Sequence, residues 1–226
     1  MADIERHTRV NQTLTAPLER PALQWLAGRS PRWITPDVLT ALGVLGSVMC
    51  FVGYWLTEQS AWWLWFVNAG FALNWYGDSL DGTLARFRKI ERPKFGFYID
   101  HTVDVISEFL VIVGIGMSPY MRFDIGLFAL IGYLVLSVHV YVRTAVDGVF
   151  KISYAALGPT ELRLIIMITN TLIFFAQDFF MTPLLGDFLP FDLIGIALAT
   201  ALSLAFLISS WHHGVRIAQA EAQARK

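Results

Sequence analysis

The sequence predicts an all-α, polytopic membrane protein: six transmembrane helices preceded by an amphipathic juxtamembrane helix. Three observations predict it. Hydrophobic residues make up 55% of the 226, too apolar for an ordinary soluble domain. Apolar stretches of roughly 17–20 residues recur along the chain, each long enough to cross a ~30 Å hydrocarbon core. Basic residues crowd the connections on one side of that pattern only.

Two regions are expected: residues 1–36 as a polar N-terminus with an interfacial helix, and residues 37–226 as one six-helix transmembrane domain. The opening MADIERHTRV is polar and lacks the apolar core of a signal peptide. Residues 18–29, LERPALQWLAGR, mix Leu, Trp and Ala with Glu19, Arg20 and Arg29. They predict a short amphipathic helix on the membrane surface, the alternative being a soluble helix packed on the domain. Pro31 and Pro36 mark a turn, after which Thr35 or Asp37 caps the next helix. The spans are expected near residues 38–56, 61–77, 97–116, 125–142, 164–180 and 193–210. The fifth is unusual in holding Asn170 and Asp178. Cys50, the single cysteine, lies in an apolar run, where it packs and forms no internal disulfide.

Charge sets the orientation. With both termini cytoplasmic, that side collects sixteen basic residues: Arg6, Arg9, Arg20, Arg29, Arg32, Arg86, Arg88, Lys89, Arg92, Lys94, Arg143, Lys151, Arg163, Arg216, Arg225 and Lys226. The far side keeps only Arg122, while Trp62, Trp63 and Trp65 fall at the far interface as an aromatic belt. The expected location is the bacterial inner membrane. The net charge of −1 gives no sign of a nucleic-acid partner, and none is expected.

The chemistry concentrates in residues 78–104, DSLDGTLARFRKIERPKFGFYIDHTVD. Asn74, Asp78, Asp81, Gly82 and Ala85 recur at steps of one helical turn and share a stripe. Gly96, Asp100, Asp104 and Glu108 form a second stripe. A helical hairpin brings the two together at the cytoplasmic ends of the second and third spans. An aspartate deep in a membrane helix costs about 2.5–3.5 kcal/mol. Several facing one another would repel unless cations bridge them, and magnesium or manganese, which take oxygen ligands, suit the task. Two such ions held by four carboxylates can clamp a diphosphate and stabilise a leaving phosphate. The small residues Gly82 and Ala85 let a helix or ligand approach, and Arg86, one turn beyond Gly82, can reach a phosphate. The competing structural reading makes these acids salt-bridge partners in a bundle.

These residues read Asp78-x-x-Asp81-Gly82-x-x-Ala85-Arg86, then Gly96-x-x-x-Asp100-x-x-x-Asp104. The pattern resembles the signature of the CDP-alcohol phosphotransferases, also called CDP-alcohol phosphatidyltransferases, over about residues 18–215. Nine residues separate Arg86 from Gly96 where the usual pattern has eight. The run Thr35-Pro36-Asp37-Val38-Leu39-Thr40 is similar to the entry of that family's first span. The resemblance implies that Asp78, Asp81, Asp100 and Asp104 bind two metals, Mg2+ or Mn2+. It implies that Asp104 is also the base for the acceptor alcohol, and that Asp37, Thr40, Gly82, Ala85 and Arg86 line the CDP pocket. It further implies a membrane homodimer that transfers a substituted phosphate from a CDP-alcohol to an acceptor alcohol and releases CMP.

Outside the signature, Arg143, Glu161 and Arg163 are candidates for an acceptor or phosphate pocket, Arg163 foremost because a guanidinium grips phosphate with two bonds. For Glu161, capping of the helix that Pro159 opens is an equal alternative. Tyr154 and Asp147 flank the same region. His101 and His139 read as packing residues, and His212 and His213 as headgroup-level residues. CDP-diacylglycerol is the favoured donor. The Gly158-Pro159-Thr160-Glu161 run suggests the alternative, a choline/ethanolamine-type enzyme that uses a CDP-aminoalcohol and diacylglycerol. A membrane prenyltransferase and a divalent-cation transporter are remote alternatives.

Overall fold

The computed structural model describes residues 14–147 and 158–224. Lys151, Tyr154, Arg6, Arg9, Arg225 and Lys226 therefore lie outside the described residues. Among those described, the regular structure is entirely helical: α1 Ala16–Arg29, α2 Pro36–Leu56, α3 Trp63–Arg88, α4 Pro93–Gly116, α5 Phe123–Asp147, α6 Pro159–Phe175, α7 Gln177–Phe180 and α8 Pro190–Ala224.

Local chemistry sets the helix ends nearest the acids. Thr35, in an extended conformation, accepts a hydrogen bond from Val38 N at 3.3 Å, and Pro36 opens α2 with its φ already helical. Thr35 is thus the cap, and Asp37 sits in the first turn, where the helix dipole favours an acid. Helix α3 stops at Lys89, which adopts the left-handed conformation with φ of 58°. That reversal lets Ile90 N return to Ala85 O at 3.0 Å, and α4 starts at Pro93. The tight connection joins the two helices that carry the acids; the expected packed hairpin is corrected, because both helices pack on α2 and not along each other.

Helices α2, α5 and α8 are long and apolar enough to cross a membrane by length and composition. Helices α3 and α4, of 26 and 24 residues, have the length but carry the acids, and α6 has 17 residues. The expected six spans therefore appear as six helices, three of which meet both criteria. The fifth expected span is corrected. Helix α6 begins earlier, at Pro159, and ends at Phe175, because Ala176 leaves the helical region (φ −127°, ψ 42°); Asp178 falls in the separate short α7. The last helix runs on to Ala224, and its 35 residues span about 52 Å at 1.5 Å per residue, well beyond a hydrocarbon core.

The core is built on backbone contact between α2 and α3. A Cβ on Gly77 would lie 2.3 Å from Gly43 N and 2.4 Å from Leu39 O, and one on Gly46 would lie 2.5 Å from Asn74 N. Only glycine permits so close an approach. Deeper in the bundle, Tyr54 donates to Asn170 Oδ1 at 2.9 Å, and Asn170 donates to Asn68 Oδ1 at 2.9 Å. Asn68 in turn lies 3.3 Å from both Met167 O and Thr171 Oγ1. This network, closed within α2, α3 and α6, explains a polar residue in the fifth apolar stretch. Nearer the acids, Asn74 is likewise structural, donating to Gly43 O at 2.9 Å and Ser47 Oγ at 3.0 Å.

Helix α1 packs on the bundle. Leu23 and Ala27 are buried with Ile34, Leu39, Leu80 and Leu84. Its other face leaves Leu18 and Trp25 exposed, which suits an interfacial position. Polar clasps hold it: Glu19 Oε1 accepts from Trp75 Nε1 and Thr160 Oγ1, each at 2.8 Å.

Candidate active site

The glycine contact fixes the register of α2 on α3, and with it the first part of the site. Thr40, one turn from Gly43, donates its hydroxyl to Asp81 Oδ2 at 2.7 Å. The other Asp81 oxygen accepts from Gly82 N. Asp81 is buried, and Asp78 one turn earlier is half-buried. Helix α4 supplies the rest. Asp100 and Asp78 lie close enough to Asp81 to act on its charge; Asp78, Asp100, Glu108 and Arg163 all act on Asp104. The acids of the two stripes thus share one electrostatic neighbourhood. Glu108, one turn beyond Asp104, lies near the Tyr133 hydroxyl of α5.

The nearest cation is Arg163. It reaches from α6 to place Nη2 2.6 Å from Asp78 Oδ2, with its side chain only 14% exposed. The sequence signal, a lone Arg at the start of a span, does not say which acid it meets. The contact follows from the packing of α6 against α3.

The signature's remaining residues sit around this cluster. Arg86 is exposed and folds back over Gly82: its Nη2 donates to Thr83 Oγ1 at 3.2 Å, and a Cβ on Gly82 would lie 3.3 Å from its Nη1. Ala85 is half-buried beside it. A Cβ on Gly96 would meet nothing within 4 Å, which leaves open space on the stripe that carries Asp100. Asp37 pairs with Arg92, whose guanidinium lies 4.3 Å from the Phe95 ring centre, so the α3–α4 connection folds over the start of α2.

Two acceptor candidates have other partners. Arg143 Nε lies 3.3 Å from Asp147 Oδ2 on its own helix, and Asp147 also faces His213 of α8 at 3.4 Å. Glu161 is a clasp between chain segments. Its Oε1 accepts from Thr15 N at 2.7 Å and Thr15 Oγ1 at 2.8 Å, and its Oε2 accepts from Gly158 N at 2.9 Å. Burial favours the protonated carboxyl and pushes its pKa up, but these N–H and O–H donors outweigh that and hold it below its usual range. The packing expected of the histidines is present: His139 contacts Ser210 at 3.1 Å, and the His101 ring lies 4.2 Å from that of Phe97.

One structural residue escaped the sequence reading. Arg88 donates to Ser30 O and Pro31 O at 2.8 Å each, and also to Ile34 O. It pins the turn before α2 to the end of α3, holding Asp37 and Thr40 in place. Its position two residues past Arg86, in a basic run, gave no sign of this.

The profile of the CDP-alcohol phosphatidyltransferases matches residues 33–211. The chain belongs to this family. Similar proteins include archaetidylinositol phosphate synthase of Pyrococcus horikoshii, 32% identical over 128 residues, which cover 55% of this chain and 64% of that protein. Cholinephosphotransferase 1 of Gallus gallus is 30% identical over 117 residues, 48% of this chain and 34% of the relative. Phosphatidylinositol phosphate synthase of Cutibacterium acnes is 33% identical over 89 residues, 37% of this chain and 38% of the relative. The chain thus spans between one-third and two-thirds of the length of the curated relatives it matches. Family members are transferases of substituted phosphate groups in phospholipid synthesis, and they use divalent metals.

Among the described residues, no three acidic, imidazole or thiol side chains converge tightly enough to enclose an ion. The donor set nevertheless suits a hard divalent cation, for it offers carboxylate oxygens from α3 and α4, both of which pack against α2. The guanidinium drawn onto Asp78 is consistent with a site that attracts positive charge.

Proposed function

We propose that this chain is an integral membrane enzyme of phospholipid synthesis. It transfers a substituted phosphate from a CDP-alcohol, CDP-diacylglycerol foremost, to an acceptor alcohol, and releases CMP. The observation that carries the proposal is the shared neighbourhood of Asp78, Asp81, Asp100 and Asp104, with Thr40 and Arg163 hydrogen-bonded to two of them.

In this reading Asp78, Asp81, Asp100 and Asp104 hold two divalent ions, Mg2+ or Mn2+. When bound, the ions supply positive charge to the diphosphate and to the departing CMP. Asp37, Thr40, Gly82, Ala85 and Arg86 line the nucleotide pocket, where the open space at Gly96 admits the ligand. Asp104 takes the proton of the acceptor hydroxyl. The oxygen then attacks the phosphorus that carries the non-nucleotide alcohol. A new P–O bond forms as the bond to the CMP phosphate breaks. Arg163 supplies a buried cation for a phosphorylated acceptor, which favours the class named in the archaeal and Cutibacterium relatives. Arg143, paired with Asp147, is a further candidate for the acceptor anion in this reading, and Glu161 holds α6 so that Arg163 is presented. The working form is a homodimer in the bacterial inner membrane, with the site facing the cytoplasm.

A second reading, transfer from a CDP-aminoalcohol to diacylglycerol, is favoured by the similarity to the chicken cholinephosphotransferase and by the Gly158-Pro159-Thr160-Glu161 run. One experiment separates the two. Purified protein with magnesium is offered each donor with glycerol phosphate, inositol phosphate or diacylglycerol, and CMP is measured. CMP from CDP-diacylglycerol with a phosphorylated acceptor supports the first reading. CMP only from the CDP-aminoalcohol with diacylglycerol supports the second, and no CMP from any pair defeats both.

A further inference from the structure

Arg163 approaches the acids in a way that phosphate binding alone does not explain. Its Nη2 is 2.6 Å from Asp78 Oδ2, a carboxylate that the proposed function assigns to a divalent cation. Its Nη1 is buried and makes no hydrogen bond among the described residues. The side chain is 14% exposed and that of Asp78 31%, so water screens the pair only in part. Asp104 and Glu108 feel its positive charge at longer range. Among the described residues, the guanidinium thus contacts Asp78 alone and leaves its buried Nη1 unpaired. A buried donor left that way costs on the order of 1–3 kcal/mol, and an anion brought to the site would satisfy it.

We propose that Arg163 is an exchangeable counter-ion that couples the metal site to the acceptor anion. The Arg163–Asp78 ion pair and a divalent cation on Asp78 compete for one carboxylate. A bound cation also repels the guanidinium at short range. Metal binding then turns Arg163 off Asp78 and offers both of its nitrogens to an anionic acceptor. The inference rests on the metal reading above. Its consequence is order: cation and nucleotide first, acceptor anion second. Coupling of this kind is reciprocal, so an anion on Arg163 tightens the cation in turn.

The test uses the full chain in nanodiscs and Mn2+ as the probe. Free Mn2+ is followed by electron paramagnetic resonance for the native protein, Arg163→Met and Arg163→Lys. An ion pair formed nine-tenths of the time lowers apparent metal affinity about tenfold. Arg163→Met is therefore expected to bind Mn2+ about tenfold more tightly, with Arg163→Lys between it and the native protein. Unchanged or weaker Mn2+ binding in Arg163→Met overturns the exchange, because an arginine that only held Asp78 in place would give that result. A measurement on the native protein covers a variant that fails to fold. Phenylglyoxal labelling of Arg163, read by mass spectrometry, is expected to rise when Mn2+ is added, and unchanged labelling contradicts the proposal. If the native protein binds no Mn2+ that Asp81→Asn abolishes, the metal reading itself fails, and the inference with it. Mn2+ binding without an Arg163 effect removes only the inference.

Discussion

Replacing Gly77 by alanine tests whether the α2–α3 backbone contact sets the geometry of the site. The added Cβ would lie 2.3 Å from Gly43 N, where ordinary contact starts at 3.4 Å, and both atoms belong to helices that cannot rotate out of the way. The difference, 1.1 Å, is the local separation the substitution demands. Thr40 lies one turn from Gly43 and Asp81 one turn from Gly77, so their 2.7 Å hydrogen bond stretches to as much as about 3.8 Å and is lost. Overpacking costs about 1–3 kcal/mol, and alanine returns up to about 1 kcal/mol through its helix propensity. Stability therefore falls modestly. Catalysis falls further, because a 1 Å misplacement in a positioned site costs on the order of 100-fold. The assay is CMP release at saturating donor, alongside thermal unfolding in detergent. Gly214→Ala is the control, since a Cβ there meets nothing within 4 Å; it should leave the rate unchanged. A Gly77→Ala protein with the native rate would refute the claim that this contact positions Thr40 and Asp81.

Other expectations follow from single residues. Asp104→Asn should reduce turnover by roughly 100- to 10,000-fold, the usual share of a general base. It should still bind CDP-alcohol in equilibrium titration; near-normal turnover would remove Asp104 as the base. Asn170→Ala orphans the Tyr54 hydroxyl and Asn68 Oδ1 within the bundle and should lower stability by about 1–3 kcal/mol. An unchanged melting temperature would show the network to be dispensable. Glu161→Gln should loosen α1 from α6. Because the folded Glu161 carboxyl lies below its unfolded value, its stabilisation is present above that value and is lost as pH falls through the folded one. The native and Glu161→Gln melting temperatures should thus differ at pH 7 and converge only as pH falls below the ordinary glutamate value; a constant difference would contradict the assignment.

Much of the site was legible because its chemistry imposes a period. Acids and small residues one turn apart on two consecutive helices are rare in an apolar chain, and Asp78 to Ala85 and Gly96 to Glu108 stood out for that reason. The pairing of particular side chains was not legible. Arg163 meeting Asp78, Arg88 holding the turn at Ser30–Ile34 and Glu161 gripping Thr15 join segments between 54 and 146 residues apart. Periodicity within one helix carries no information about such distances. The break at Ala176 was hidden for another reason. Residues on both sides of it are apolar, and hydropathy reports environment and not backbone conformation. Helices α3 and α4 show the limit in the opposite direction: length and position mark them as parts of the bundle, while the acids that make the site lower their apolarity.

The most direct measurement of the central claim is anomalous diffraction from crystals of the protein soaked in Mn2+ with a CDP-alcohol. The account predicts two manganese peaks between α3 and α4, each within coordination distance of carboxylates among Asp78, Asp81, Asp100 and Asp104, with the diphosphate against them. Ordered nucleotide in the crystal without manganese between those helices, or manganese bound only elsewhere, would contradict it.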